Sequence, residues 1–509
     1  MATSHIGIDF GTTNSLLVSY DKAKNRFRYL SGKEPISSTV WFTDNRIIVG
    51  DEARKNIYQY SGMDGHHFEK SIKLRLDTDY EANIFGEKVL PKDIAAHIIS
   101  NLRSRAISLL KEDAESIDLR QAVFTVPIKF SGKARRNLRA AANIAGIEVT
   151  TFIHEPFAAV VGYYFTKETR SFDEIISELR ALDGRYVLTF DWGGGTLDVT
   201  VVKIEDGKMN ELGRAELTGL AGDKFDELIA NWAWNKFKDK IEKGKYQDAY
   251  LEQHKKKKWD KLLAIAESCK IELSDEEEVY FTLEDVLPDE EDVWLDELLT
   301  REEFSSLVDS YIDLAIDSVD LAIKNAGINS INIAEVLLTG GTCSIPAVQE
   351  RMKKKFGNRV EILKNANTVI AEGAAVISEL DWDPYLTKDF QVELSNGGYY
   401  PLIENGKRIS RGGSFTKEET FACIDQRNGN ARLIFSEGVD QRQEKILSIM
   451  NIPVSMEGFK YGDEIFLKLT IDKNIVLKLE ANNTMKTRDS GTIRKSVEVY
   501  DLCFGLDIR

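Results

Sequence analysis

Residues 186–204 read YVLTFDWGGGTLDVTVVKI, and the fold turns on how this stretch is parsed. Segments 186–190 and 197–204 are rich in β-branched and aromatic side chains, with Asp191-Trp192-Gly193-Gly194-Gly195-Thr196 between them. That pattern predicts a strand, a tight glycine turn and a second strand. A Rossmann fingerprint or a Walker loop sets a helix N-terminus directly after its glycines, and Asp198-Val199-Thr200-Val201-Val202 is a poor helix start. Consecutive glycines instead let backbone N–H groups converge on one anion, such as a polyphosphate. Asp191 and Asp198 bracket that point, and carboxylates beside phosphates require a cation between them. A glycine-rich hairpin without a ligand is the plainer alternative for this stretch taken alone.

A second copy weighs against that alternative. The segment 6–18, IGIDFGTTNSLLV, repeats the order of apolar strand, Asp, glycine turn with Thr, and strand. Two such hairpins imply two related halves facing one ligand. With Val126-Pro127, Ile153-His154-Glu155-Pro156-Phe157-Ala158-Ala159, the run 220–226 (LAGDKFD) and Leu338-Thr339-Gly340-Gly341-Thr342, the chain resembles the actin, sugar-kinase and heat-shock ATPase superfamily. The wording GIDFGTTNS with FDWGGGTLDV is similar to the seventy-kilodalton heat-shock chaperones of DnaK type, and the resemblance spans nearly the whole chain in the family's order.

The resemblance implies an α/β protein with a two-lobed, actin-like ATPase domain of ribonuclease H-like repeats at 1–380. A linker at 381–389 and an all-β sandwich of peptide-binding type at 390–509 follow. It implies ATP or ADP as ligand, with Mg2+ and K+ as candidate cations. Carried over position by position, Lys73, Glu155, Asp191 and Thr196 are the candidate catalytic residues, with Lys70 as the fallback for Lys73. Gly11, Thr12, Thr13, Asn14, Gly193, Gly194, Gly195, Thr196, Gly222 and Asp223 match the phosphate side. Glu267, Lys270, Ser274, Gly340, Gly341 and Thr342 match the nucleoside side. Asp9 and Asp191 match the metal carboxylates, acting mostly through water, Pro127 and Arg135 an interdomain relay, and Tyr399, Tyr400 and Phe421 the lip of a peptide pocket. Taken from the residues alone, Lys73 is a helix-face lysine, Glu155 a helix N-terminal carboxylate, Arg135 a surface charge and Phe421 a core residue.

Three departures qualify the resemblance. Ile271 and Ser344 stand where the family stacks arginines on adenine, which predicts weaker or less base-selective binding. The family's acidic, leucine-rich linker is not legible in 379–388, so coupling between domains is questioned. The sequence ends after the sandwich without a helical lid, from which fast peptide exchange is expected.

The implied function is that of a molecular chaperone of protein folding and the stress response, with a slow, Mg2+-dependent ATPase coupled to binding of extended, unfolded polypeptide. A J-type co-chaperone and a nucleotide exchange factor are the implied partners. A nucleotide-binding sensor or scaffold with little turnover is the alternative. A sugar kinase on the same lobes is a third, but nothing resembles a sugar site and the sandwich would have no role.

Composition narrows the field. The formal charge is −16, from 67 basic and 83 acidic residues, which argues against nucleic acid as a partner. The opening MATSHIGIDF lacks the pattern of a secretory signal, and no apolar run has the length to cross a bilayer, so no membrane association is expected. Cys269, Cys343, Cys423 and Cys503 are scattered, favouring reduced thiols in a cytoplasmic monomer. His66-His67 reads as loop rather than metal site, and Lys255 to Lys258 as a solvated helix face. Helices are expected at 91–110, 133–145, 157–165, 231–263 and 347–356, with another beginning at the cap Thr300. Beyond 388, short strands are expected at 390–394, 399–403, 421–424, 431–435, 446–450, 464–471, 475–479 and 496–502.

Overall fold

The computed structural model describes residues 4–111, 117–166, 171–241, 245–284, 286–287, 293–409, 414–423, 429–439, 442–454, 464–483 and 493–509. Two of its sheets share one strand plan. The first runs Glu148–His154, Ile117–Val126, Ser4–Phe10, Asn14–Asp21, Arg26–Tyr29. In the second, Val360–Ile362, Ile333–Thr339, Arg185–Trp192, Thr196–Glu205 and Lys208–Thr218 take the same places, followed by Phe504–Asp507 and Asp383–Leu386. In both, the first three strands are parallel and the next two antiparallel. The repeated motif of the sequence is therefore one part of a repeated five-strand unit.

Strands covered on both faces must be apolar throughout, and Ala122, Val123, Phe124 and Val126 are all buried. Pro91–Leu110 and Gly132–Ile144 cover the outer face of the first sheet through Ile94, Ile98, Leu102 and Leu138. Gly222–Lys240 and Arg301–Asn325 cover the outer face of the second, the latter opened by a capping box between Thr300 and Glu303. Helices Glu155–Thr166 and Val369–Glu379 lie in the core shared by both sheets, among Leu16, Val18 and Val123 from one and Val187, Val202 and Leu337 from the other. These two helices touch backbone to backbone. A Cβ at Gly162 would fall on the Val369 carbonyl, and one at Gly373 on the Ala158 carbonyl.

Residues 389–499 include two four-stranded antiparallel sheets, one from Tyr399–Ile403, Asp389–Glu393, Asn430–Val439 and Arg442–Pro453, the other from Phe415–Ala422, Glu464–Ile471, Leu477–Asn483 and Ile493–Val499. Strict alternation places Ile465, Leu467, Leu469 and Ile471 in the core between them. This sandwich is held against helix Gly132–Ile144 by three arginines. Arg135, 2% exposed, donates to the carbonyls of Asn474 at 2.7 Å, Tyr500 at 3.1 Å and Ile475 at 3.3 Å. Arg139 donates to Asn474 Oδ1 at 2.7 Å and the Lys473 carbonyl at 2.6 Å, and Arg136 pairs with Glu498 at 3.0 Å. Arg135 is thus no surface charge.

Several expectations are corrected. The helix expected at 231–263 is divided among Gly222–Lys240, Asp248–Lys257 and Trp259–Glu272. His66 and His67 lie on strand His66–Glu69, where Trp41 Nε1 donates to His66 Nδ1 at 3.1 Å. Strand Leu477–Asn483 starts later than expected because Ile475 turns the chain with φ 58°, a conformation that disfavours β-branched residues. Strand Phe415–Ala422 precedes the expected 421–424, whose Ile424 lies outside the described residues. Most consequentially, Asp383–Leu386 is a strand rather than an open linker, and Phe504–Asp507 leaves the sandwich to join the second sheet.

Gly373→Ala is expected to lower stability by about 1–3 kcal/mol, because the added methyl forces the two central helices apart. Thermal unfolding of the purified variant measures the loss, and an unchanged midpoint would refute this packing argument.

Candidate functional site

Both hairpins carry an aspartate one residue before the end of their first strand, which closes on Phe10 in one and Trp192 in the other. Asp9 pairs across its hairpin with Leu16, and Asp191 with Asp198. Because each hairpin is central in its sheet, the two turns project from the same position of the repeated unit, and they face each other. A Cβ at Gly194 would stand 2.6 Å from Thr13 Oγ1 and 2.7 Å from Asp223 Oδ1, while one at Gly195 would lie 3.4 Å from the Thr12 methyl. Backbone therefore approaches where no side chain fits. The tip of the central hairpin is braced by Gly222 N donating to the Gly193 carbonyl at 3.1 Å, Asp223 N to that of Gly194 at 2.8 Å, and Thr342 Oγ1 to that of Gly193 at 2.8 Å.

Between the turns opens a cavity of about 680 Å3. It is lined by Gly11, Thr12, Thr13, Asn14, Gly193, Gly194, Gly195, Thr196 and Asp223 on one side, and by Glu267, Lys270, Ser274, Gly340, Gly341 and Thr342 further along. Of the candidate nucleotide residues, only Gly222 is set back from the wall, behind Gly194 and beside Thr342 and Lys270. Asp9, Asp191, Lys73, Glu155 and Pro127 also face the cavity. Lys70 is exposed at a neighbouring opening, which separates it from Lys73. Arg135 and the tyrosines lie elsewhere: Tyr400 meets Phe421 edge to face at 5.8 Å on the sandwich, and Tyr399 donates to Gln443 Oε1 at 3.0 Å.

The floor of the cavity is electrostatically unbalanced. Lys73, 5% exposed, donates to Glu155 Oε1 at 2.6 Å, and Asp9 accepts from Thr125 Oγ1 at 2.7 Å. Burial depresses the Lys73 ammonium, but Glu155, Asp9 and Asp191 more than offset this and keep it charged. Against that one cation stand Asp9, Glu155, Asp191 and Asp198. Burial pushes Glu155 up to about 8 despite Lys73. Burial, with Asp198 and Asp9 nearby, lifts Asp191 to about 7, and burial with Glu216 lifts Asp198 to about 6. Asp9 is raised by burial as well. A polycation arriving with a ligand would relieve this excess of negative charge. Among the described residues no three carboxylate, His or Cys groups converge on one metal position. Asp9 and Asp191 present hard carboxylate oxygens to the cavity, a donor chemistry that fits Mg2+.

Two contacts were invisible in the sequence. Arg54, on helix Asp51–Tyr60, reaches over the mouth to Glu267, with Nε 3.2 Å from Oε2. Lys270 pairs with Asp226 at 2.7 Å and donates to the Gly222 carbonyl at 3.0 Å, so its ammonium is already engaged. An arginine on a polar helix carries no local signal of a partner 213 positions away. Ile271 is 60% exposed at the cavity wall, with Ser344 on the same wall.

The sequence also matches the Hsp70 protein family over residues 5–490. The chain belongs to the Hsp70 family. Its members are ATPases of chaperone function that bind ATP or ADP with Mg2+, and the match runs through both hairpins and most of the sandwich, ending before strands Ile493–Val499 and Phe504–Asp507. Cys269, Cys343 and Cys503 form no disulfide, and no helix is long and apolar enough to cross a membrane, both among the described residues.

The raised carboxyls bind protons more tightly in the folded chain than in the unfolded one. Their contribution to stability is therefore full below the ordinary carboxyl range and is lost as pH rises through about 6, 7 and 8, the values for Asp198, Asp191 and Glu155. Calorimetry of the unliganded protein is expected to show a falling Tm across that window, and Asp191→Asn to raise the Tm at its upper end. A Tm that climbs with pH there would contradict the charge excess.

Proposed function

We propose that this Hsp70 relative is a chaperone ATPase that binds ATP and ADP with Mg2+ between its two hairpin turns. Hydrolysis by positioned water would be coupled to the binding of extended polypeptide by the sandwich. The observation that carries the reading is the opposed pair of glycine turns above a floor with more buried carboxylates than cations. Bound Mg2+ would supply charge neutralisation between phosphate and carboxylates. Backbone N–H groups of Thr12, Thr13, Gly194 and Gly195 hold phosphate oxygens, with the Thr12, Thr13 and Thr196 hydroxyls beside them. Lys73, fixed by Glu155, directs its ammonium at the terminal phosphoryl group and orients the attacking water, while Glu155 accepts a hydrogen bond from that water. Asp9, oriented by Thr125, and Asp191 would hold the cation, mostly through water.

At the far end, Glu267, Lys270 and Ser274 take the ribose and base, and Arg54 must share Glu267 with the ligand. Pro127 and Arg135 form the relay between cleft and sandwich, a reading supported by Pro127 on the cavity wall and Arg135 on the sandwich carbonyls. Tyr399, Tyr400 and Phe421 contribute to the peptide lip. We assign residues 1–380 to the ATPase domain and 390–503 to the sandwich, with unfolded polypeptide, a J-type co-chaperone and an exchange factor as partners. Ile271 and Ser344 favour a second reading, a nucleotide sensor with little turnover.

Phosphate release under steady-state conditions, with and without an unfolded peptide, decides between them. Wild type is expected to turn over ATP faster with peptide, and Lys73→Ala to lose at least about a hundredfold in kcat. Bound ATP with no phosphate release would leave the sensor. Calorimetric titrations are expected to give Kd values for ATP and GTP within about tenfold of each other, since no guanidinium plane stacks on the base. Adenine-exclusive binding would contradict that expectation.

A further inference from the structure

The strand Phe504–Asp507 occupies a position that the sandwich has no need to fill. Its backbone pairs on one side with Lys208 and Met209 at the edge of the hairpin sheet, and on the other with all four residues of Asp383–Leu386. The latter strand is bonded in turn to sandwich backbone, with Leu386 N donating to the Lys407 carbonyl at 2.9 Å and Ile409 N to that of Pro384 at 2.8 Å. One continuous ladder therefore crosses from the ATPase sheet to the sandwich. Among the described residues, Phe504–Asp507 is the rung that separates Asp383–Leu386 from Lys208–Thr218.

Each of its residues has a distinct contact. Leu506 is fully buried in the core shared by the two sheets. Asp507, 1% exposed, accepts from Arg408 of the sandwich at 2.9 Å and from Arg509 at 2.7 Å. Gly505 leaves room for Tyr385 to reach over the strand and donate from its hydroxyl to Asn210 Oδ1. A Cβ there would meet the Met209 carbonyl, the Tyr385 ring at 2.9 Å and Asn210 Oδ1 at 3.0 Å. Phe504 packs against His154 with ring centroids 3.9 Å apart and planes tilted by 34°, and the Arg135 guanidinium lies 5.5 Å from the same Phe504 ring. His154 is buried, has no hydrogen-bond partner at either nitrogen among the described residues, and is held by such ring contacts. It immediately precedes Glu155, whose carboxylate holds Lys73.

We propose that Phe504–Asp507 is a clasp that seats the sandwich on the ATPase sheet and, through Phe504 against His154, positions Glu155 in the cleft. The positioning half rests on the nucleotide reading given above; the clasp half does not. Removing the strand breaks the ladder at its narrowest point, and removing the ring alone leaves the ladder but frees His154 and the start of helix Glu155–Thr166.

Hydrogen exchange and turnover on the full chain test the two halves separately. In Gly505→Val, amides of 383–386 and 504–507 are expected to exchange together at least about tenfold faster, with Arg185–Trp192 unchanged. Loss of protection at 504–507 alone overturns the clasp. If that variant does not fold, wild type in graded denaturant is expected to open both segments at one midpoint, and two separate midpoints overturn it. Phe504→Ala is expected to lower kcat about tenfold with KM for ATP within about twofold, and Phe504→Leu to recover most of the loss. Unchanged kcat in Phe504→Ala overturns the positioning half. A wild-type chain that fails to bind ATP in calorimetry overturns the nucleotide reading and positioning together, while the exchange data still decide the clasp.

Discussion

The contact between the Lys73 ammonium and the Glu155 carboxylate joins the start of a central helix to the short turn Ile72–Arg75, which follows strand His66–Glu69 of a separate three-stranded sheet, in a region also faced by Asp191 and Asp198 of the second sheet. One buried cation amid several carboxylates leaves the unliganded floor negative, and in a low-dielectric recess such an excess is costly unless protons or a metal answer it. The carboxyl groups are raised first by their burial and then by the carboxylates beside them. The remainder of the architecture serves to bring charges from two separate sheets to one place and to keep them there.

Two devices accomplish that. Small residues let helices Glu155–Thr166 and Val369–Glu379 meet at Gly162 and Gly373, so the repeated sheets share one core and their turns oppose each other at a fixed spacing. Arginines perform the corresponding task at the sandwich. Arg135 and Arg139 are nearly dry and take up backbone carbonyls of the 472–476 turn, which suits a planar, many-donor cation and would not suit lysine. That turn holds Ile475 in a left-handed conformation, so its close packing against Gly132–Ile144 is maintained at local backbone cost.

Local pattern was a good guide wherever hydrogen bonds and burial repeat at short range. Helix Pro91–Leu110 and strands Tyr399–Ile403 and Glu464–Ile471 have the bounds expected from periodicity and turn residues. The amphipathic look of 231–263 misled, since a continuous pattern of apolar and charged residues does not reveal where a helix is interrupted. Likewise Asp383–Leu386 looks like a polar linker because the neighbours that make it a strand come from 406–409 and 504–507.

The order of residues by itself determined the duplicated hairpin, the aspartate beside each glycine turn, the membership of the chain in its family and the alternating strands of the sandwich, all of which depend on neighbours a few positions apart. Only the tertiary structure decided that Arg135 is buried, that Arg54 spans the cleft to Glu267, that Lys270 is held by Asp226, and that Phe504–Asp507 leaves the sandwich to complete the other sheet. Those outcomes depend on which distant surfaces exclude water together, and a side chain carries no local mark of the partner it will meet from hundreds of positions away.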